Sequence, residues 1–398
     1  MKASLSVGAL VVVALIACTS SAGPSASAPR STAPSPATLN PAESKAADLR
    51  TRLDLLLGEH VIAIAKESSA AGRSDEYSSY LHLLTSNGTE LTELMRSALG
   101  DTAASSFDKI WTAQNDSFVS YTIGLVTHNK SKSDSAMSSL ATRFVPQLSQ
   151  FLATSAELPL DPITQLTTQH VLETKAMIDD QFAQNYPRAY ADLRLVYAQA
   201  SRIGDAVAPK IAAKFPDKFP GNPSSKAVDL RVSMNNLLQE NVYLATMTTS
   251  AVAAGRTSEQ AAAARALGDN ATDLGVLFST LFGQAIGTRF DQTWAARNSA
   301  TIAYSAGSSG TARQNALNRL NGDFVMQFSA LVQDSTGLSS TTFGPALGAQ
   351  VEATIAVLDD QRSKSWTKLS GDDRAANSSM QSVADLIAIA AVAKLRLS

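Results

Sequence analysis

The chain predicts an all-α fold built as two helical bundles in tandem, and three observations carry that expectation. The stretch DLRTRLDLLLGEH at residues 48–60 is written again as DLRVSMNNLLQEN at residues 229–241. Apolar positions such as Leu49, Leu53, Leu56 and Ile64, with His60 among them, recur at three- and four-residue steps and so share one helical face. Runs of alternating β-branched residues, the mark of a half-buried strand, are missing.

Taken in order, the chain opens with Lys2 and an apolar run at residues 9–17, ALVVVALIA. A positive start and a short apolar core make an export signal at residues 1–17. The run is too short for a permanent span, which needs about 20 apolar residues. It ends Leu15-Ile16-Ala17-Cys18, and Cys18 is the only cysteine in the sequence. This tetrapeptide resembles the lipobox of bacterial lipoproteins. The resemblance implies cleavage before Cys18, a diacylglyceryl thioether on its sulfur and a further acyl chain, such as palmitate, on the new amino terminus. Two or more chains hold stably where one does not, so the expected location is the extracytoplasmic face of the cell membrane. With Cys18 committed, no thiol remains for a disulfide, a thiolate metal site or a cysteine nucleophile.

Residues 18–45 hold the lipidated Cys18 and a segment, Thr19 to about Ala42, dominated by Ser, Ala, Pro, Thr and Gly, with Pro24, Pro29, Pro34, Pro36 and Pro41. Such a composition builds no core and reads as a tether from the lipid to the folded part. A formal net charge of −2 over 398 residues and the lack of a basic patch argue against a nucleic-acid partner.

The first bundle is expected over residues 46–221. Helix breaks fall near residues 71–74, 99–101, 127–130 and 158–162, with a last helix over 187–213, giving about six helices. Asp161 before Pro162 predicts an N-cap, and Ser74 before Asp75 and Glu76 another. Pro216, Pro220 and Pro223 end this set of helices. The second bundle, residues 226–398, repeats the first with a period of about 180 residues, a domain duplication rather than a solenoid. Ala71-Gly72-Arg73 returns as Ala254-Gly255-Arg256, and Phe107-Asp108 with Trp111 as Phe290-Asp291 with Trp294. Asn115 and Tyr121 return as Asn298 and Tyr304, and Asp179-Asp180-Gln181 as Asp359-Asp360-Gln361. The apolar segment at residues 383–397 carries Asp385, Lys394 and Arg396 and reads as a closing core helix.

The DLR stretch ending in Glu59-His60, the F-D-x-x-W run with Phe118 and Tyr121, the helix bearing His170 and the closing K-F-P-x-K-F together resemble a repeated helical domain of secreted proteins from Gram-positive bacteria. In some of those proteins it accompanies a copper amine oxidase N-terminal-like module. The resemblance implies a bundle and no reaction. Its pattern places histidines at positions matching His60, Gln114, His170 and Gln199, of which the first repeat keeps two. The second keeps none, having Asn241, Arg297, Gln350 and Ser379.

From the residues themselves, Glu59 and His60 are adjacent on one helix while His170 and Glu173 share a face of another. Imidazole and carboxylate ligands suit zinc, copper or iron, and bundle cores host such sites. The alternatives are therefore a transition metal or haem held by His60, His170, Glu59 and Glu173, or two core histidines with solvated glutamates and no cofactor. His82 and His128 read as surface positions. Trp111, Asn115, Phe118 and Tyr121 fall at helical spacing and read as core, with the amide and hydroxyl paired inside. Asp179 and Asp180 read as a solvated helix surface. Glycine-rich phosphate loops, G-x-S-x-G and H-E-x-x-H are all missing from the sequence. The expected function is accordingly a non-catalytic binding or interaction protein of the cell envelope. Its partners would be the membrane, through the lipid, and an envelope protein or small ligand.

Overall fold

The computed structural model describes residues 40–398, so the signal, the lipobox with Cys18 and most of the tether lie outside the described residues. The described residues contain helices and no strand. The first half has α1 (Lys45–Ala70), α2 (Ser74–Leu99), α3 (Asp101–Val126), α4 (residues 130–155), α5 (Leu160–Phe182) and α6 (Tyr186–Lys214). The second has α7 (Lys226–Ala253), α8 (Thr257–Phe282), α9 (Gln284–Ala306), α10 (residues 310–336), α11 (Ser340–Ser363) and α12 (Trp366–Leu395). Each half thus holds the six helices expected, in the same order. Helix α2 starts at Ser74 with Arg73 in the cap position, so Ser74 is not the N-cap expected there but the first helical residue.

Within each half every helix packs on its sequence neighbour, and the sixth returns to the first: α6 lies along α1, and α12 along α7. The first helix is therefore central. Nearly all of α1 is buried, polar residues included, as expected of a helix surrounded on all sides. The described residues form one compact unit. A single hydrophobic core runs from Leu49 through Trp111 and Met234 to Ile387, so the halves share a core rather than each closing its own. The junction follows an approximate two-fold pattern. Helices α1 and α7 cross at its centre, α2 packs on α12, and α8 packs on α6.

Three further local features differ from expectation. Helix α5 starts at Leu160 with Pro159 in the cap position, so Asp161 is not the N-cap but an acid in the first turn. There it faces the positive end of the helix dipole. The folded part begins before residue 46. Asn40 Nδ2 donates to the Ile389 carbonyl at 3.0 Å, Ala42 is fully buried, and the Ser44 hydroxyl caps α1 as Ser225 caps α7. Finally, α4 and α10 each contain a π-helical stretch, Leu140–Phe144 and Arg319–Phe324. The wider turn sets Phe144 edge-on to Trp111 and Phe324 edge-on to Trp294, at 6.4 and 5.7 Å between ring centres.

Helix α12 is longer than the apolar segment at residues 383–397 suggests. By length and composition it is the one helix among the described residues that meets the requirement for crossing a membrane. Its Leu369, Asp373, Met380, Val383 and Ile387 are all fully buried, which is the environment of a core helix.

Candidate functional site

The expected ligand set divides at the first helix. His60 and Glu59 are neighbours on α1, so their side chains leave the axis about 100° apart. His60 turns into the first half, and Glu59 turns to the junction. His60 is fully buried, with its ring 4.6 Å from that of Trp111 and 5.7 Å from that of His170 on α5. Phe118 stands edge-on to His170 at 6.4 Å. Gln114 on α3 meets the ring through Nε2, 3.0 Å from His170 Nε2. Both ring nitrogens of His60 and Nδ1 of His170 have no hydrogen-bond partner. Burial holds His60 well below its usual pKa, with the nearby His170 adding to the effect, and brings His170 down to about 4. Both imidazoles are therefore neutral near pH 7. On the far side of His170 and Trp111 lies a closed apolar void of about 20 Å³ walled by Met95 and Leu148, room for one water at most.

The second half fills the corresponding space. Where Met95 and Leu148 stand in the first half, Phe278 and Phe328 stand in the second, 6.2 Å apart and stacked around Phe290 and Trp294. The histidine positions become Asn241 and Gln350, and Gln114 becomes Arg297. Arg297 donates to Asn241 at 2.7 Å and Asn298 at 3.0 Å, with its guanidinium 4.9 Å from the Trp294 ring. Burial brings its pKa down to about 10.

The carboxylates expected beside the histidines are engaged elsewhere. Glu59 accepts from Tyr243 Oη at 2.7 Å, Asn87 Nδ2 at 2.9 Å, and Arg374 Nε and Nη2 at 3.2 and 3.3 Å. Glu173, half-buried, accepts from Gln169 on its own helix at 2.7 Å. No group of three or more His, Cys, Asp or Glu converges to hold a metal among the described residues. Gln199 donates to the Leu166 carbonyl at 2.9 Å and ties α6 to α5.

What the repeated motifs build is a reciprocal clamp between the halves. Arg50 of the first DLR reaches Asp229 of the second, and Arg231 of the second reaches Asp48 of the first, each at 2.6 Å. Each arginine also takes a carboxylate from the sixth helix of its own half, Asp205 or Asp385, both at 2.8 Å. Each donates as well to a carbonyl preceding the opposite first helix, Pro223 or Ala42, both at 2.7 Å. About two and a half turns further on, Arg374 crosses to Glu59 while Arg194 crosses to Glu240, with Asn87 and Asn270 completing the two sets. The two A-G-R turns repeat the exchange. Glu76, paired with Arg73, accepts from Ser250, and Glu259, paired with Arg256, accepts from Ser69.

The D-D-Q motifs act within each half. Gln181 and Gln361 donate to the Ala65 and Thr246 carbonyls at 3.1 and 2.8 Å. Asp179 and Asp359 accept from the hydroxyls of Tyr121 and Tyr304. Asp179 and Asp359 therefore anchor the third helix to the fifth, and Asp360 is buried, so the expectation of a freely solvated acidic surface is corrected. His82 is exposed, as expected, yet its Nδ1 lies 3.2 Å from Ser370 Oγ across the junction.

No family model matches the chain, and neither a curated protein nor a solved structure is similar to it.

Two buried acids were not foreseen as special. Asp54, fully buried beside Asp205, has neither oxygen bonded to an N–H or O–H donor, and burial followed by the Asp205 charge pushes its pKa well up. At the matching position the second half has Asn235, which donates to Asp385 at 2.8 Å. A protonated Asp54 makes the same kind of donor to Asp205. Glu67, also fully buried, is pushed up to about 7 by burial. Comparing the repeats reveals both, since the partner residues Asn235 and Thr248 are neutral.

Proposed function

We propose that this chain is a lipid-anchored, extracytoplasmic, non-catalytic binding protein of the cell envelope. The observation that carries the reading is the reciprocal clamp. Four recurring arginines and four recurring acids, which a hydrolase or transferase would set around a substrate, are committed pairwise to joining the halves: Arg50 to Asp229, Arg231 to Asp48, Arg194 to Glu240 and Arg374 to Glu59. The product is a body held rigid at its centre, able to offer outer faces and clefts to a partner. The basic start at Lys2, the short apolar run and the lone Cys18 support its attachment by lipid.

In intact cells the wild-type protein should take up a palmitate analogue and sediment with membranes. Cys18→Ser should remain unlabelled and either unprocessed or released. Labelling and membrane retention unchanged in that variant would overturn the anchor. Cross-linking on intact cells should capture a reproducible envelope component, and repeated empty captures would overturn the interaction role.

A second reading, a transition metal or haem at His60 and His170, is favoured by their three unpartnered ring nitrogens. The fit is incomplete. Two imidazoles make half of a tetrahedral zinc set, and Glu59 and Glu173 point elsewhere. Elemental analysis and visible absorption of the purified protein, beside His60→Ala/His170→Ala, test it. Stoichiometric metal or a haem band lost in the variant supports this reading, and a protein still empty after loading excludes it.

A further inference from the structure

The pseudo-two-fold junction is unequal at one place. On one side Tyr190 of α6 is fully buried against Glu259, its hydroxyl 3.4 Å from Oε1. At the matching position of α12 stands Ser370, whose hydroxyl reaches only His82. Where Tyr190 fills its side, the Ser370 side is open. A hollow of about 480 Å³ lies against Ser370, and a second of about 530 Å³ adjoins it, the two sharing Asp75, Lys364 and Trp366 on their walls. Each is in the size range of small-molecule sites, and such sites favour junctions between structural units.

The lining is chemically specific. Trp366, half-buried, faces both hollows. Ser79, only 6% exposed, faces the first with a hydroxyl that has no partner. Arg256 faces the second with an Nη1 that is buried and likewise unpartnered, its Nε being held by Glu259. Charges of both signs surround the cleft: Asp75 and Glu76 against Lys364, Arg73 and Arg256, with Glu76 paired to Arg73 and Arg256 paired through Nε to Glu259. A simple anion would meet the two carboxylates and a simple cation the three basic groups. A neutral ligand rich in hydroxyls satisfies both, since each hydroxyl donates to a carboxylate and accepts from a cation. An indole face adds a surface of negative quadrupole that suits the C–H face of a sugar ring.

We propose that the Trp366 cleft is a saccharide-binding site, taking a mono- or disaccharide with one ring against the indole. The proposal rests on the binding-protein reading and names its ligand class. The chain has three tryptophans, and Trp111 and Trp294 are buried in the two cores, so Trp366 is the one placed to report. The experiment is a titration of the full chain, in a detergent without a sugar headgroup, with glucose, galactose, N-acetylglucosamine and cellobiose. It is followed by tryptophan emission and by calorimetry.

At least one sugar should give a saturable response in both. Ser370→Tyr, which installs the side chain the other half already accommodates, should weaken binding at least tenfold while leaving thermal unfolding near wild type. Trp366→Phe should lose the emission change. Absence of a saturable response to all four sugars would overturn the site, as would undiminished binding in a folded Ser370→Tyr. Binding of succinate or spermidine in place of the sugars would overturn the ligand class. None of these outcomes touches membrane attachment, which the Cys18→Ser fractionation tests separately.

Discussion

Lys66 and Asp373 form an ion pair across the junction with side chains 3% and 0% exposed. Thr246 Oγ1 lies 3.0 Å from Lys66 Nζ, and the rings of Tyr80 and Tyr243 flank the ammonium at 5.5 and 5.0 Å. Burial pulls the Lys66 pKa down, with Asp373 acting against it. On the other side of the pseudo-two-fold, the matching positions hold Met247 and Leu193, both buried in the core. Lys66→Met alone leaves a fully buried carboxylate with only a threonine hydroxyl, and Asp373→Leu alone leaves the ammonium. Each should cost about 3–5 kcal/mol, the usual penalty for orphaning one member of a buried pair. Lys66→Met/Asp373→Leu removes both charges and copies the apolar pair the chain already uses. It should lie within about 1 kcal/mol of wild type, or above it by up to about 4 kcal/mol. Urea unfolding of the four proteins gives the coupling energy directly. A double variant as unstable as the sum of the singles would refute the claim that the two sides are interchangeable.

His170→Gln, the residue found at Gln350, should flatten the acid limb of stability. The imidazole is neutral in the fold and takes its proton near 6.5 when unfolded, so its contribution is complete above pH 6.5. It falls by about 3 kcal/mol as the pH drops toward 4, readable by urea midpoints. Glu67→Gln should act in the opposite direction. A carboxyl raised to about 7 favours the fold below pH 4.5 and loses that advantage as the pH rises through 7. The variant should therefore gain about 3 kcal/mol at pH 8 and nothing at pH 4. Gly124→Ala should destabilise by about 1–3 kcal/mol despite its better helix propensity, because the added carbon would lie 2.7 Å from the Ser133 backbone nitrogen; an unchanged melting temperature would refute that. Asp54→Asn, copying Asn235, should raise the melting temperature at pH 8 and lose this advantage near pH 3, where both forms of the acid carry the proton.

The sequence was most informative where period and punctuation act locally. Helical spacing and the Gly, Pro and Asn breaks placed the helices of the first half to within about three residues, and the repeat then implied six in the second, because those signals are local. The displaced cap at Asp161 and the π turns were not legible. Pro159 offered an alternative start, and a π turn shows itself only through the packing of Phe144 on Trp111. The repeated motifs were visible at once, yet their use was not. DLR marks the repeat without naming a partner, and only the approach of the opposite helix turns Arg50 toward Asp229. Glu59 looked like a companion of His60 for the same reason, since adjacency in sequence says nothing of which neighbour each face will meet. The unequal pairs were legible in principle. Aligning the halves sets Lys66 against Met247, Glu67 against Thr248 and Tyr190 against Ser370, and each mismatch marks a place where the two sides differ in the fold.

Lys66 lies 307 residues before Asp373, and Arg50 lies 179 before Asp229. A chain emerging from its amino terminus thus presents a first half whose central helix carries Arg50, Glu59 and Lys66 long before their partners exist. That half has good local contacts but cannot close its inner face, and closure waits for α12, made after the other eleven described helices. Contacts so distant in sequence come late and slow the final step. Until then the exposed inner face of one half is complementary to the second half of any neighbouring molecule, which makes the interval before α12 docks the one in which a crowded population of these chains risks exchanging halves.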